Sequence, residues 1–219
     1  MKKVRFLIAL LSLLLLFCAC AKLPTLKPTG KGDYKRSDNG THYREAPLSY
    51  LVTAHLKEAV ATVKDKAGER SLYSVGNDFL CDDAGNLYLP DGVTLPASLE
   101  AFAPQSFSIC KEEKLLAEVV SSRDALLIDS ILHAADADEI PAGFSQSRYL
   151  LIFFAPDYPG LCYRLEYLVF QKGEDPYGEW DFSDETCGFL YDREQNNYKI
   201  APNALYELLT GGNSYCKRS

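Results

Sequence analysis

The sequence predicts a single α+β domain over residues 47–219, in which about three helices flank a mostly antiparallel β-sheet. Two observations support this fold class. Strand-like segments follow one another along the chain with only turn sequences between them, and stretches of helical periodicity lie outside those runs. A segment of this length is sufficient to bury a sizeable core as one domain.

Apolar side chains at helical spacing predict three helices, over residues 48–66, 121–135 and 202–209. The first has the longest amphipathic pattern, and Ala67-Gly68 follows it as a stop signal. The other two lie before and after the strongest strand pattern of the chain. This placement of helices at the ends of strand runs favours α+β over a parallel α/β sheet.

Short apolar or alternating segments separated by turn residues predict the strands. Residues 149–155 are seven consecutive apolar residues, as expected for a central strand buried on both faces. Ala84-Gly85-Asn86 has the composition of a hairpin turn. The predicted strands cover residues 71–75, 79–82, 87–89, 107–110, 115–120, 149–155, 161–171, 188–191 and 198–200.

The first 19 residues have the pattern of an export signal. Three basic residues precede an apolar run over residues 6–17, which only Ser12 interrupts. Counted on to Ala21, the stretch has 16 residues, whereas a membrane-spanning helix needs about 20. A signal peptide that is removed, over residues 1–19, is therefore the favoured interpretation.

Ala19-Cys20 ends the apolar run and resembles the lipobox of bacterial lipoproteins, where a small residue precedes an invariant cysteine. The resemblance implies cleavage before Cys20 and acylation of its sulfur, with two or three chains forming a stable anchor. Because Ala21 rather than aspartate follows, it also implies the outer membrane in a host with two membranes, and otherwise the outer face of the cytoplasmic membrane. Phe17 departs from the more usual leucine, and a plain secreted protein is the alternative.

The charge of the chain is unevenly distributed. The sequence contains 23 basic and 30 acidic residues, a net charge of −7. Residues 20–46, which are rich in Gly, Pro, Thr and Asn, predict a lipidated cysteine followed by a flexible basic tether. Residues 47–219 carry 14 basic and 27 acidic residues. Such an acidic body excludes nucleic-acid binding by counterion release and favours a basic protein partner.

Five cysteines remain for the body, and an exported compartment permits disulfides. If residues 149–200 form an antiparallel meander, the last helix carries Cys216 back towards Cys162, so a Cys162–Cys216 bridge is preferred over Cys162–Cys187. Cys81–Cys110 is the remaining short-range pair. The alternative is that several of these cysteines are small buried apolar residues.

Known catalytic and metal-binding motifs are missing from the sequence, so no catalytic residue, metal site or cofactor is predicted. His133 is followed by Asp136 and could share a metal with it. A cation placed favourably at a helix C-terminus is the preferred explanation of His133. His55 is interpreted as a residue packed at the edge of the first predicted helix.

The densest group of ionisable side chains lies in the predicted loop 172–186. An acidic surface with an aromatic anchor is suited to a basic protein, although calcium binding or a solvated loop would also account for it. The candidate partner-binding residues are Glu174, Asp175, Glu179, Trp180, Asp181, Asp184 and Glu185.

These patterns together predict a membrane-anchored envelope lipoprotein whose body is a non-enzymatic binding or accessory module. One alternative is an inhibitor of a basic enzyme that uses the acidic loop 172–186. The other is an envelope hydrolase whose site has no recognisable motif.

Overall fold

The computed structural model describes residues 23–47, 49–52, 58–76, 78–112, 114–138, 140, 147–170 and 188–210. It is mostly β, with 49% strand and 14% helix. The strands form two units, a closed seven-stranded barrel and a second seven-stranded sheet.

The barrel is built from the N-terminal part of the chain. Its strands follow the order β1-β2-β3-β8-β7-β6-β5. Neighbours are antiparallel except at the closure, where β1 runs parallel to β5 and Leu26 lies opposite Val63. The barrel strands are β1 (Thr25–Pro28), β2 (Asp33–Arg36), β3 (His42–Glu45), β5 (Ala59–Asp65), β6 (Gly68–Ser74), β7 (Leu80–Asp82) and β8 (Leu87–Pro90).

Side chains fill the interior of the barrel. Each short strand turns one or two apolar residues inward, as the alternation of a pleated strand requires. Tyr34 and Tyr88 meet edge to face there, with ring centroids 5.2 Å apart. The interior cluster consists of Leu26, Tyr34, Tyr43, Ala61, Val63, Leu72, Leu80 and Tyr88.

The second sheet has the order β10-β9-β11-β12-β13-β14, and β4 also pairs with β12. Since β11 occupies one edge of β12, β4 and β13 lie end to end along the other, β4 beside residues 161–163 and β13 beside 166–169. The strands are β4 (Tyr50–Val52), β9 (Ser106–Lys111), β10 (Lys114–Val120), β11 (Ser147–Phe154), β12 (Leu161–Val169), β13 (Gly188–Asp192) and β14 (Asn197–Ile200).

Three helices accompany the strands in the described part of the chain: α1 (Leu99–Phe102), α2 (Ser121–Leu132) and α3 (Asn203–Thr210). Helix α2 buries Ile128 and Ile131 in the core. The outward faces of β7 and β8 contribute Cys81, Leu87 and Leu89 to that same core. The barrel wall and the sheet therefore share one hydrophobic core.

The predicted fold class is wrong. A closed barrel beside a second sheet replaces the single sheet with flanking helices. The predictions of individual strands were more successful. The strands predicted at 71–75, 79–82 and 87–89 correspond to β6, β7 and β8, and those predicted from residue 107 onwards correspond to β9–β14. The helices predicted over 121–135 and 202–209 are confirmed over 121–132 and 203–210.

The helix predicted over 48–66 is also wrong for the described residues. Residues 59–65 form β5 instead, with Ala61 and Val63 buried at alternate positions and the β-branched Thr62 between them. Branched side chains favour strands over helices. Ala67-Gly68 lies at the β5–β6 turn, where the Ala67 amide donates to Asp65 Oδ1 at 2.8 Å. Residues 53–57, which include His55, lie outside the described residues.

The flexible tether predicted over 20–46 is wrong from Thr25 onwards, because residues 25–45 supply three strands of the barrel. Their composition is polar since most side chains of these four-residue strands face solvent. Leu26, Tyr34 and Tyr43 face inward and are almost completely buried. One inward apolar residue per strand is sufficient to hold these strands in the barrel, because the neighbouring strands supply the rest of its core.

Candidate functional site

A cleft of about 700 Å³ opens between the barrel and the sheet. The barrel contributes the β1–β2 turn with Lys31 and the end of β3 with Arg44 and Glu45. The sheet contributes β4, β12 and the β13–β14 turn, which carries Glu194. The cleft therefore exists because the two β units pack side by side.

The floor of the cleft is apolar and aromatic. Tyr50 and Tyr163 cross at 75° with ring centroids 5.2 Å apart. Leu89 and Leu95 complete the floor, and all four residues are buried. Burial raises the pKa of the Tyr50 phenol, and Tyr158 and Asp192 raise it further. The floor is thus uncharged and well packed.

A buried polar network lies directly behind Tyr163. The Ser49 hydroxyl donates to Asp192 Oδ1 at 2.7 Å, and the Tyr163 hydroxyl donates to Asp192 Oδ2. The backbone amides of Glu194 and Gln195 also donate to Oδ1, at 2.9 and 3.3 Å. Burial raises the pKa of Tyr163, and the hydrogen bond to Asp192 raises it further. The phenol therefore stays protonated and the carboxylate accepts four hydrogen bonds.

This network links the strands β4, β12 and β13. Ser49 precedes β4 and Asp192 ends β13, the two strands that share one edge of β12. The backbone carbonyl of Ser49 also accepts a 2.7 Å hydrogen bond from the Arg164 amide. Ser49 is fully buried, and its proton goes to a carboxylate rather than to an imidazole. The arrangement aligns three strands and does not expose a nucleophile.

One wall of the cleft is formed by residues 94–97, in a loop after β8 that three side chains hold in place. Arg44 Nη2 donates to the Val93 carbonyl at 2.7 Å, and the Tyr50 hydroxyl donates to the Pro96 carbonyl at 2.8 Å. Gln195 Nε2 donates to the Ala97 carbonyl at 2.9 Å. Because these donors come from the barrel strand β3, from β4 and from the β13–β14 turn, the wall is preformed.

The rim of the cleft carries both signs of charge. Lys31 and Arg44 are basic, and Glu45 and Glu194 are acidic. Glu45 Oε1 also accepts a hydrogen bond of 2.6 Å from the Tyr34 hydroxyl, so its carboxylate has a fixed position. An apolar floor beneath a rim of mixed charge suits a ligand with an apolar body and polar or charged ends.

A second polar cluster lies among the barrel strands. Arg70 Nη1 is 2.9 Å from Asp82 Oδ2, and Asp82 is fully buried. Asp82 also accepts hydrogen bonds from the Tyr88 hydroxyl at 3.1 Å and the Asn86 amide group at 2.9 Å. Burial raises the pKa of Tyr88, and the charge of Asp82 raises it further. These groups bond to one another across β6, β7 and β8 and tie that part of the barrel together.

The described cysteines are free thiols. Cys81 lies in barrel strand β7 and Cys110 in sheet strand β9, so the predicted bridge between them is not formed. Cys162 Sγ instead lies 3.5 Å from the Leu51 carbonyl oxygen. Its predicted partner Cys216 lies outside the described residues, as does Cys187, and that pairing stays a prediction.

His133 ends helix α2 and is largely exposed. Its Nδ1 lies 3.2 Å from an Asp129 carboxylate oxygen, one turn back along the helix. Among the described residues no group of three or more His, Cys, Asp or Glu side chains is arranged to hold a metal ion. His133 therefore lies at the C-terminus of the helix, as the preferred explanation has it, and contacts a carboxylate of the same helix.

The other predicted site residues lie outside the described part of the chain. These are Cys20 and the acidic residues Glu174, Asp175, Glu179, Trp180, Asp181, Asp184 and Glu185. Sequence reasoning missed the cleft because Ser49 and Asp192 are 143 positions apart. It also assigned Lys31 and Arg44 to a tether. The alternation of the buried Tyr34 and Tyr43 with polar neighbours was the available signal that this region forms strands.

Within the described residues, no helix is long and apolar enough to cross a membrane. Comparison of the chain with protein-family models, curated proteins and solved structures finds no match.

Proposed function

We propose that this chain is a cell-envelope lipoprotein, anchored through Cys20, whose β-rich body is a non-enzymatic binding module with the cleft as its ligand site. The observation that carries the proposal is the preformed cleft between barrel and sheet, about 700 Å³ in volume. Small-molecule sites are typically clefts of roughly 300–1,000 Å³ with apolar walls and a few placed polar groups.

The polar groups of the floor support binding rather than catalysis. Tyr50 donates to Pro96, and Ser49 and Tyr163 donate to Asp192. General acid–base chemistry needs a group with a proton to give or accept at the reacting atom. Here the described hydroxyls at the floor are committed to the protein itself, so the cleft offers shape, apolar contact and rim charge.

The anchor is supported by the sequence alone. The basic start, the apolar run over residues 6–17 and Ala19-Cys20 have the order of a lipoprotein signal. Labelling with radioactive palmitate tests it, with Cys20→Ser as the control. We expect label on the wild-type chain and none on the variant, and mass spectrometry should find acylated Cys20 at the mature N-terminus. An unmodified Cys20 would contradict the anchor.

Site-specific photo-crosslinking in the intact envelope tests the cleft. A photoreactive amino acid replaces Lys31 or Thr94 on the rim, or Asp129 on helix α2 as a distant control. We expect light-dependent adducts from the two rim positions and none from position 129.

Filling the cleft with a larger side chain shows whether these adducts form with a ligand that is bound in the cleft. Leu95→Trp adds a large side chain to the floor, and Leu95→Met keeps a similar volume. The tryptophan variant should lose the rim adducts and the methionine variant should keep them, with thermal denaturation confirming that each variant is folded. Rim adducts that persist in folded Leu95→Trp would contradict a ligand in the cleft.

Binding of a basic protein by the acidic segment 172–186 is the second candidate. The excess of carboxylates over residues 47–219 favours it. Replacing Glu179, Asp181 and Asp184 with amides should weaken capture of a basic partner without affecting adducts formed at Lys31. Salt should weaken that capture as well.

A further inference from the structure

The distance from the proposed lipid anchor to the folded barrel is short. Leu23 and Pro24 are described, and β1 begins at Thr25. Only two residues separate Cys20 from Leu23. Even a fully extended chain covers roughly 11 Å over that interval, at about 3.6 Å per residue. A tether of the length that the composition suggests would have reached several times further.

We propose that the end of the barrel that carries Leu23 rests on the phospholipid bilayer in which Cys20 is anchored. This inference rests on the proposed lipidation of Cys20. The occupant of the surface is the anionic, phosphate-bearing face of the membrane, and the short reach of residues 20–23 keeps the barrel in contact with it.

The register of the strands defines this anchor end, which includes residues 23–25, 37–41 and 91–92 together with the start of β5 and the β6–β7 turn. The Thr25 amide donates to Ser37 Oγ at 2.9 Å, and the Ser37 amide donates to the Thr25 carbonyl at 3.0 Å. The Asp91 amide donates to the His42 carbonyl at 3.0 Å. The start of β1, the β2–β3 turn and the end of β8 therefore lie at one end of the barrel.

Leu23 gives this end an apolar contact. Its side chain is 38% exposed, although leucine usually avoids water. It borders a shallow depression of about 350 Å³ that Lys27, Ser37 and Asp38 also line. A leucine beside a lysine is a combination found on surfaces that lie at the level of lipid head groups, and the one carboxylate of the depression, Asp38, is paired with Arg36.

A row of basic side chains crosses three strands beside the anchor end. Lys27 of β1 lies opposite Lys35 of β2, and Lys35 lies opposite His42 of β3. All three side chains are exposed. Like charges directly opposite each other on neighbouring strands are destabilising. Within the described part of the chain neither lysine forms an ion pair, so an anionic head group would relieve the repulsion.

With the anchor end on the bilayer, the rim of the cleft lies at the other end of the barrel. Lys31, on the cleft rim, lies in the β1–β2 turn at the opposite end of β1 from Leu23. Four residues of strand separate the two ends by about 10 Å, at roughly 3.3 Å per residue. The bilayer therefore contacts one end of the barrel and leaves the cleft open to solutes of the envelope.

Fluorescence quenching tests the contact in the full-length lipidated protein. A fluorescent amino acid is placed at Asn39 in the anchor end or at Ala84 in the β7–β8 turn at the other end. The protein is reconstituted into phosphatidylcholine vesicles, with or without phosphatidylglycerol, that contain a lipid with a quencher on its head group. We expect strong quenching at position 39 and little at 84. Equal quenching at the two positions would overturn the proposal.

Two variants distinguish the contribution of the basic row from that of the short chain between Cys20 and the barrel. Lys27→Gln with Lys35→Gln should reduce quenching at position 39 on vesicles with phosphatidylglycerol and leave it unchanged on phosphatidylcholine. A Gly-Ser linker of roughly 20 residues after Lys22, averaging about 25 Å end to end, should lower quenching at position 39 on both. Quenching unaffected by either change would contradict the roles of the basic row and the short reach.

Failure of the anchor itself has a different signature. Mass spectrometry of the same preparation establishes whether Cys20 is acylated, and flotation establishes whether the protein is bound to vesicles. Unmodified Cys20 overturns both the lipoprotein assignment and the contact surface. Acylated, floating protein with equal quenching at 39 and 84 overturns the contact surface alone.

Discussion

Thr25 and Thr62 face each other across the closure of the barrel, with their Oγ1 atoms 3.2 Å apart. Thr25 is only five residues from Cys20 in the sequence, and Thr62 lies in the middle of β5. The N-terminal strand is therefore part of the folded body. Several properties of the protein follow from that arrangement and from the two polar networks.

Leu26 should contribute strongly to stability, because its side chain is completely buried in the barrel. Leu26→Ala is expected to lower the free energy of unfolding by about 2–5 kcal/mol. The control Leu23→Ala removes an exposed side chain and should change it by less than about 0.5 kcal/mol in lipid-free protein. Urea denaturation measures both variants. Equal, small effects would mean that β1 is not packed as described.

The Arg70–Asp82 pair should also be important for the stability of the barrel. Asp82→Ala removes a fully buried carboxylate and leaves Arg70 without one of its partners, an expected loss of about 3 kcal/mol. Asp38→Ala removes the partner of Arg36 from a more exposed pair and should cost less than about 1 kcal/mol. Thermal or urea denaturation compares them. Similar losses for the two variants would contradict a buried network.

The raised pKa values of the buried tyrosines predict a loss of stability in alkali. Burial raises the pKa of Tyr163 and Tyr88 above the value near 10 of an exposed tyrosine. Below pH 10 the phenols are protonated in both states, so stability does not depend on them. Above it the unfolded chain releases these protons first, and stability falls by about 1.4 kcal/mol per pH unit for each such tyrosine.

Tyr163→Phe tests this pH dependence. The variant should lose about 1 kcal/mol at neutral pH, because Asp192 loses one donor. Its stability should then decline less steeply than that of the wild type as the pH rises past 10. Urea denaturation at several pH values between neutrality and pH 11 measures the slope. An unchanged slope would show that Tyr163 does not stay protonated on folding.

The cysteines should differ in their reactivity towards alkylating reagents. Burial raises the pKa of the Cys81 thiol to about 11 and that of Cys162 to about 12, whereas Cys110 is only half-buried. At pH 8 only about one Cys81 in a thousand is the reactive thiolate. Timed iodoacetamide labelling with peptide mass spectrometry should therefore find Cys110 modified before Cys81 and Cys162. Early labelling of Cys162, or a Cys81–Cys110 bridge in a non-reducing map, would contradict the structure.

The C-terminal half of the fold could be predicted because its strands are long enough to show their own pattern. In the middle of β12, the buried Tyr163, Leu165 and Tyr167 alternate with the half-buried Arg164 and Glu166. A turn rich in Pro and Gly separates β12 from β11. Local residues decide both the strands and their pairing in such a hairpin.

The barrel could not be predicted because its strands are short and their partners are distant. A four-residue strand with one inward side chain, such as β2 with Tyr34, has the composition of a loop. In β5 the run of Ala and Val residues fits both the helical and the strand period over so few positions. Only the neighbouring strands decide between them, as Leu72 of β6 does where it pairs with Ala61.

The candidate site was inaccessible to sequence reasoning for a related reason. The cleft exists only where the barrel packs against the sheet, and no motif carries it. The buried hydrogen bond behind the cleft floor joins Ser49 to Asp192, and these residues are too far apart in the sequence for a local pattern to relate them. The predicted lipidation signal differs, because all of its residues are contiguous around Cys20.

Amide hydrogen exchange of a lipid-free chain that begins at Cys20 tests the central claim most directly. That claim is that the folded barrel begins within five residues of Cys20. The amides of Leu26, Lys27 and residues 34–36 should exchange far more slowly than in an unfolded peptide, in the same range as those of residues 147–169. Exchange of residues 25–45 at the rate of an unfolded chain, beside a protected 147–169, would contradict it and restore a flexible tether.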